Sequence, residues 1–294
     1  MTPAQRARLL NFLGYGTPSK ARFLFLGEKE YTPGGTELTN CEIRASSFAV
    51  PWEDKNRALR ALASGFAARG DHVNANHFTS ALTPGPNFSW GMGKPGGNSV
   101  SVWTWAAQFV TAWRATSKCV DDGPWFRRWS SEYTTIGTYE SDVALAELYP
   151  LPMKSVTCWP PDYVSAFGHC DADAYFQSVF PIGRSSPRGQ TLVQYALAQL
   201  PADALVIGYG RGGKGAEFWR RYDQILSPHI TTFGGKSAKW HALAAKRLEI
   251  GISSRGHLVA RIGFPWTRPN ANPVTQQDIP LLVEGLRALR AQNP

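Results

Sequence analysis

Cysteine and methionine are scarce in this 294-residue chain, at four and three residues. Cys41, Cys119, Cys158 and Cys170 form no close pair and no C-x-x-C, which excludes a disulfide scaffold or zinc ribbon and predicts reduced thiols in a cytoplasmic protein. His169-Cys170 beside Cys158 is at most half of a zinc site, and the six histidines are scattered without ligand spacing. No metal or organic cofactor is therefore expected. G-x-S-x-G is missing, which removes one serine-hydrolase reading. No apolar run approaches the roughly 20 residues that span a bilayer, so no membrane partner is expected. Met1 to Leu13 lacks the apolar stretch and cleavage site of a signal sequence and reads as an amphipathic helix. Charged residues are also sparse, 18 % against about 25 % in an average soluble domain. With 43 % hydrophobic residues, 11 Trp and 15 Phe, disorder is excluded for most of the length. The expectation is a monomer with one large core, a single domain over 1–294.

What charge there is leans one way. Thirty-one Lys+Arg against 22 Asp+Glu leave a net +9, and cations crowd the stretch from Arg184 to Arg255 with few acids between them. A cationic face that neutralises phosphates fits this distribution, and nucleic acid is the polyanion it suggests.

Hydrophobic periodicity gives alternating elements. Pro3 to Leu13 is helical, with Thr2 as cap and Pro3 in the first turn. Arg22 to Leu26 is a buried strand ending at Gly27, and Pro51 to Arg69 a helix stopped by Gly70. His72 to Gly97 reads as a long loop. Ser101 to Thr116 is an aromatic helix with Trp105, Phe109 and Trp113 on one face and Trp103 off it. Asp142 to Tyr149 and Ala204 to Gly208 are strands. Asp171 to Phe180, Arg188 to Leu200, Gly215 to Leu226 and Thr275 to Arg290 are helices. Arg247 to Ile252 and His257 to Ile262 form a hairpin. Short apolar strands alternating with helices predict a three-layer α/β/α sandwich around a mainly parallel sheet, with ligands beyond the carboxyl ends of its strands.

Four segments follow those ends. They are Gly27-Glu28-Lys29-Glu30-Tyr31, Tyr149-Pro150-Leu151-Pro152-Met153-Lys154, Tyr209-Gly210-Arg211-Gly212-Gly213-Lys214 and Gly263-Phe264-Pro265-Trp266-Thr267-Arg268. The first resembles the opening Gly-Glu motif of the uracil-DNA glycosylase superfamily, and Tyr-Pro-Leu-Pro resembles its base-recognition segment. Leu205 to Gly208 with Glu217-Phe218-Trp219 is similar to the third unit of that family. His257 to Pro265 with Arg268 stands where its closing His-Pro-Ser would lie. The resemblance runs from about Ala21 to the end of the chain; Phe78 to Tyr133 matches nothing in the family, and residues 72–133 would be an elaboration. Three departures accompany it. Glu30 replaces the motif proline, Phe264-Pro265-Trp266 replaces the closing His, and Glu147 stands at the base-reading Asn. The cysteine spacing also differs from the iron–sulfur branch.

The resemblance implies a DNA glycosylase that hydrolyses the N-glycosidic bond of a flipped-out base without a cofactor. Cleaving that bond builds positive charge on the sugar, which a carboxylate stabilises while it orients water. Glu28, at a sharp Gly turn, is the candidate for that role and Glu30 the second choice; the alternative is two solvated loop acids beside Lys29. Tyr31, Phe48 and Trp266 offer stacking surfaces for the extruded base, or are packed aromatics. An ionised Glu147 only accepts hydrogen bonds, which suits the exocyclic amine of a modified cytosine, such as the glucosylated base of phage DNA, rather than uracil. The alternative pairs it with Lys154 or Arg268. Lys154, Arg211, Lys214 and Arg268 would hold flanking phosphates. His241, His257, Lys154 or Arg268 would stand in for the closing His. Two rivals remain. Gly208 to Lys214 fits G-x-x-x-x-G-K, but Gly215 replaces the Mg²⁺-binding Ser/Thr. A catalytically inactive DNA-binding module on the same fold is the other.

Overall fold

The computed structural model describes residues 1–30, 35–48, 52–82, 101–115, 129–149, 151–154, 159–168, 171, 192–210, 241–243, 248–253, 255–263 and 276–293. These divide into two compact units. The first comprises Met1–Ala21, Gly27–Leu82 and Gly137–Leu200, and the second Arg22–Leu26, Thr83–Ile136 and Pro201–Pro294. The architecture is mixed α/β.

The first unit opens on helix α1 (Pro3–Asn11), where Thr2 and Gln5 form a reciprocal capping box. Strand β1 (Gly14–Tyr15) pairs in parallel with β3 (Trp52–Glu53) and antiparallel with β4 (Val143–Tyr149). Helix α2 (Glu37–Ser47) is capped by Thr36, whose hydroxyl accepts from the Thr39 N–H at 3.1 Å. Helix α3 (Lys55–Ala68) starts at the Asp54 cap and ends where Gly70 turns left-handed at φ 80°. There the Gly70 N–H bonds the Ala67 carbonyl and the Asp71 N–H that of Phe66, each at 2.9 Å, the paired closure that a C-terminal glycine permits.

Residues 72–80, expected to begin a long loop, form helix α4 (His72–Ser80). Its Asn, His and Thr residues are weak helix formers, so local propensity hides it. The Asp71 cap and the stacking of Phe78 on Phe66, 5.4 Å between centroids, hold it in place. Helices α7 (Pro161–Phe167) and α8 (Leu192–Gln199) complete this unit.

The second unit is built on strand β2 (Phe23–Lys29), whose first four residues belong to it and whose last three belong to the first unit. β2 pairs in parallel with β5 (Leu205–Gly210), and β5 with β8 (Leu258–Gly263). β7 (Leu248–Ile252) is antiparallel to β8 and to β6 (His241–Leu243). All six residues of β5 are buried, as in a strand covered on both faces.

Helix α5 (Ser101–Arg114) packs its aromatic face on β2. Trp105, Phe109 and Trp113 stack one turn apart, at 5.6 and 6.1 Å, while Phe25 meets Trp105 and Phe109 edge-on. Trp103 turns instead to Tyr133 of α6 (Trp129–Thr135), as its position off that face predicts. Helix α9 (Ile279–Ala291) closes the unit behind a short 3-10 turn at Gln276–Asp278. The expected helix over 215–226, and that over 171–180 apart from Asp171, fall outside the described residues.

The β1–β4 pairing leaves no room beside Gly14. A Cβ there would lie 1.8 Å from the Leu145 carbonyl oxygen. Gly14→Ala should therefore lower unfolding stability by about 3 kcal/mol or more, measurable by urea denaturation.

Candidate functional site

β2 does not stop at Leu26. Gly27 and Glu28 continue it as extended strand, so the sharp turn expected at Gly27 is absent. The glycine punctuates the sequence without breaking the ladder. Glu28 is thus a strand residue, and its side chain lies outside the described set. Glu30 is the first residue after β2.

Glu30 is bound into a nearly buried polar cluster. Its Oε2 pairs with Arg44 Nη2, and its Oε1 accepts the Tyr15 hydroxyl proton. Arg44 Nη1 reaches the same hydroxyl at 3.4 Å, and Arg44 Nε donates to Asn40 Oδ1 at 2.6 Å. Tyr15 therefore accepts from the guanidinium and donates to the carboxylate, closing a triangle. The side chains of Arg44 and Glu30 are only 3 % and 13 % exposed. The Arg44 guanidinium lies 5.6 Å from the Phe12 ring centroid and 5.4 Å from that of Phe48, so apolar rings take up much of its surroundings.

The electrostatics follow from this geometry. Burial works against the charge on Arg44, but Glu30 and then Tyr15 outweigh that penalty and hold its pKa above the ordinary value. Burial and the adjacent Glu30 carboxylate push Tyr15 well above the usual phenol range, so its hydroxyl stays a donor.

A second set of bonds ties this cluster to the segment after β4. The Met153 N–H donates to the Glu30 carbonyl at 3.0 Å, and Lys29 Nζ reaches the Met153 carbonyl at 2.5 Å. One residue earlier, the Pro152 carbonyl accepts from the Tyr163 hydroxyl, which also meets Cys41 Sγ at 3.3 Å. Burial raises the Cys41 thiol to about 12 and lifts Tyr163 far above its ordinary value. The Gly27 and Tyr149 motif segments, 120 residues apart in sequence, are thus hydrogen-bonded to each other.

Glu147 is half-buried on β4, and its N–H bonds the Leu13 carbonyl at 3.0 Å. Strand alternation puts it on the face of Leu145, and Tyr15 is the register partner of Leu145. Glu147 therefore shares a sheet face with the Tyr15 arm of the cluster. Lys154 is exposed directly after Met153. Phe48, offered as a base-stacking wall, is 3 % exposed and already covered by Arg44 and Phe12, so its ring presents no free face to a ligand. Trp103 and Trp105 are likewise core residues.

The remaining candidates divide by position. Tyr31, Arg211, Lys214, Trp266 and Arg268 lie outside the described residues. Their segments leave β2, β5 and β8, and the last two of these strands end side by side with Gly210 opposite Gly263. His257 does not suit the closing position. It is buried ahead of the first residue of β8, and six residues at ~3.3 Å put it about 20 Å from Gly263. Among the described residues no group of three side chains could hold a metal, and no helix is long and apolar enough to cross a membrane.

Sequence inspection missed Arg44, Tyr15, Asn40 and Tyr163. A usable signal existed for Arg44: it falls three residues after Cys41 and four before Phe48 on the buried stripe of α2, where an unaccompanied cation is untenable. Comparison with protein-family models, curated proteins and solved structures finds no match.

Replacing Arg44 with Met leaves Glu30 as a buried charge without its cation, so stability should fall by about 3–5 kcal/mol, and the double variant R44M/E30L should recover much of that loss in the same denaturation assay. Cys41 gives a pH signature. Its pKa is raised on folding, so its contribution is complete below pH 9 and is lost as pH climbs toward 12. Between pH 9 and 10 the wild type should lose stability while Cys41→Ser, which does not titrate, declines less steeply.

Proposed function

We propose that the protein is a DNA glycosylase of the uracil-DNA glycosylase type, a three-layer α/β/α sandwich that releases a modified base and leaves an abasic site. The observation that carries this reading is the bonding of the segment after β2 to the segment after β4, through Glu30, Lys29 and Met153. These two segments carry the sequence resemblance, and in a glycosylase one supplies the reacting carboxylate and the other grips the base.

The two acids after Gly27 divide the work. Glu30, held by Arg44 and Tyr15, fixes the exit of β2 and is a positioning residue. Glu28 is the reacting carboxylate. It stabilises the positive charge that develops at C1′ and orients a water. The water oxygen bonds to C1′ as the C1′–N bond breaks, one water proton is lost, and the base leaves with the bonding electron pair and takes up a proton. Glu147, as an acceptor, reads an exocyclic amine on the extruded base. The cations Lys154, Arg211, Lys214 and Arg268 hold flanking phosphates.

Purified protein incubated with DNA containing each of a panel of bases, uracil and glucosylated hydroxymethylcytosine among them, should yield alkali-labile sites at an amine-bearing modified base. Glu28→Gln should reduce that release by about 10²–10⁴-fold with DNA affinity unchanged. Activity confined to uracil would remove the assignment to Glu147, full activity in the Gln variant would remove Glu28, and no release from any base would overturn the enzymatic reading.

A further inference from the structure

The C-terminal end of α5 carries a concentration of arginines that the proposed chemistry does not use. Trp113, half-buried on the last turn, has the guanidinium carbons of Arg287 and Arg290 at 5.6 and 5.3 Å from its ring centroid. Phe23 meets the same indole edge-on at 6.3 Å, and Arg114 lies 5.8 Å from the Phe23 centroid. Three arginines thus meet a half-buried indole and the buried Phe23 ring beside it.

Helix capping accounts for only part of this. Arg287 Nη2 donates to the Trp113 and Ala115 carbonyls at 2.5 and 2.8 Å, satisfying the open end of α5. Arg290 donates once, to the Asp203 carbonyl at 2.6 Å, which leaves most of its five N–H groups unused. Arg114 is matched by Glu132 at 2.5 Å. Among the described residues neither Arg287 nor Arg290 has a carboxylate partner, and the exposed Glu284, one turn earlier on α9, pairs with neither. Two guanidinia on one indole lie within about a Debye length of each other, so their repulsion is poorly screened. Such an arrangement is relieved by an anion arriving from outside.

We infer that Arg114, Arg287 and Arg290, set around Trp113 and Phe23, form a binding surface for the phosphodiester backbone of a nucleic acid. The geometry suits that ligand. Guanidinium forks bind phosphate oxygens bidentately, and cations set among aromatics are the ordinary make-up of surfaces that track a nucleic-acid strand. The net +9 of the chain draws a polyanion to this surface. The inference rests on the nucleic-acid partner of the proposed function but not on its chemistry.

The test measures binding of the full chain to a labelled oligonucleotide of about 20 nucleotides, single-stranded and duplex, by fluorescence anisotropy across a salt series. The variant is Arg114→Gln/Arg290→Gln, which leaves the capping Arg287 in place. The expected result is a Kd raised about three- to tenfold at 0.1 M salt and a log Kd–log salt slope reduced by about 1–2. The Lys pair at the same positions should restore the slope. Thermal unfolding of both variants, unchanged from wild type, shows that the fold is intact; should the double Gln variant be unstable, the single Arg290→Gln change carries the measurement with a slope reduced by about 1. An unaltered Kd and slope would overturn the inference, as would loss of binding to phosphatidylserine vesicles with DNA binding retained. Weakened DNA binding by the variant, in a protein whose wild type releases no base, would refute the glycosylase reading and leave this surface standing.

Discussion

A guanidinium that cannot shed its proton sits almost entirely out of water in the first unit, and Arg44 is tolerable there only because Glu30 meets it. That pairing ties together three parts of the chain. Arg44 belongs to α2, Glu30 is the residue after β2, and Tyr15, which bonds to both, is half of β1. Their mutual contacts fix the end of β2. The Glu30 carbonyl and the Lys29 amine then carry the constraint on to Met153, so the segment after β4 is placed by the same cluster. Geometry of this kind, charged groups locked by hydrogen bonds inside an apolar surround, is rigid because every displacement exposes an uncompensated charge.

The cluster gives the neighbouring acids different parts to play. A carboxylate clamped between Arg44 and Tyr15 serves as an anchor, which leaves Glu28 as the reacting acid of the proposed mechanism. The same cluster withdraws Phe48 from any stacking role, since one ring cannot both cover Arg44 and receive a base. In the second unit Arg287 and Arg290 lie over the Trp113 indole, and Arg287 also finishes α5. Among the described residues cations thus serve in two ways, one buried against a carboxylate, the others on an aromatic ring at the end of a helix.

Much of the framework was legible before any coordinates. Thr2 and Pro3 mark the start of α1, Gly70 the stop of α3, and the four-residue spacing of Trp105, Phe109 and Trp113 gives the buried face of α5. The apolar runs of β2, β4, β5 and the β7–β8 hairpin stood out because burial on both faces demands uninterrupted hydrophobic sequence. Helices α2 and α4 did not stand out. In α2 the buried stripe contains Asn40 and Arg44, so the apolar period is broken at the positions that matter, and α4 is made of residues that favour helix only once Phe78 has Phe66 to pack on. Two-residue strands such as β1 and β3 carry no period at all.

What the sequence by itself determined is therefore local: where helices are capped, which runs are apolar enough to be buried, and that the chain carries excess positive charge. Only the tertiary structure decided that β2 runs through Gly27, that Glu30 belongs to Arg44, and that Phe48 is spent on packing. Each of these depends on partners tens of residues away, and hydrogen bonding and charge neutralisation across such distances leave no periodic trace in the order of residues along the chain.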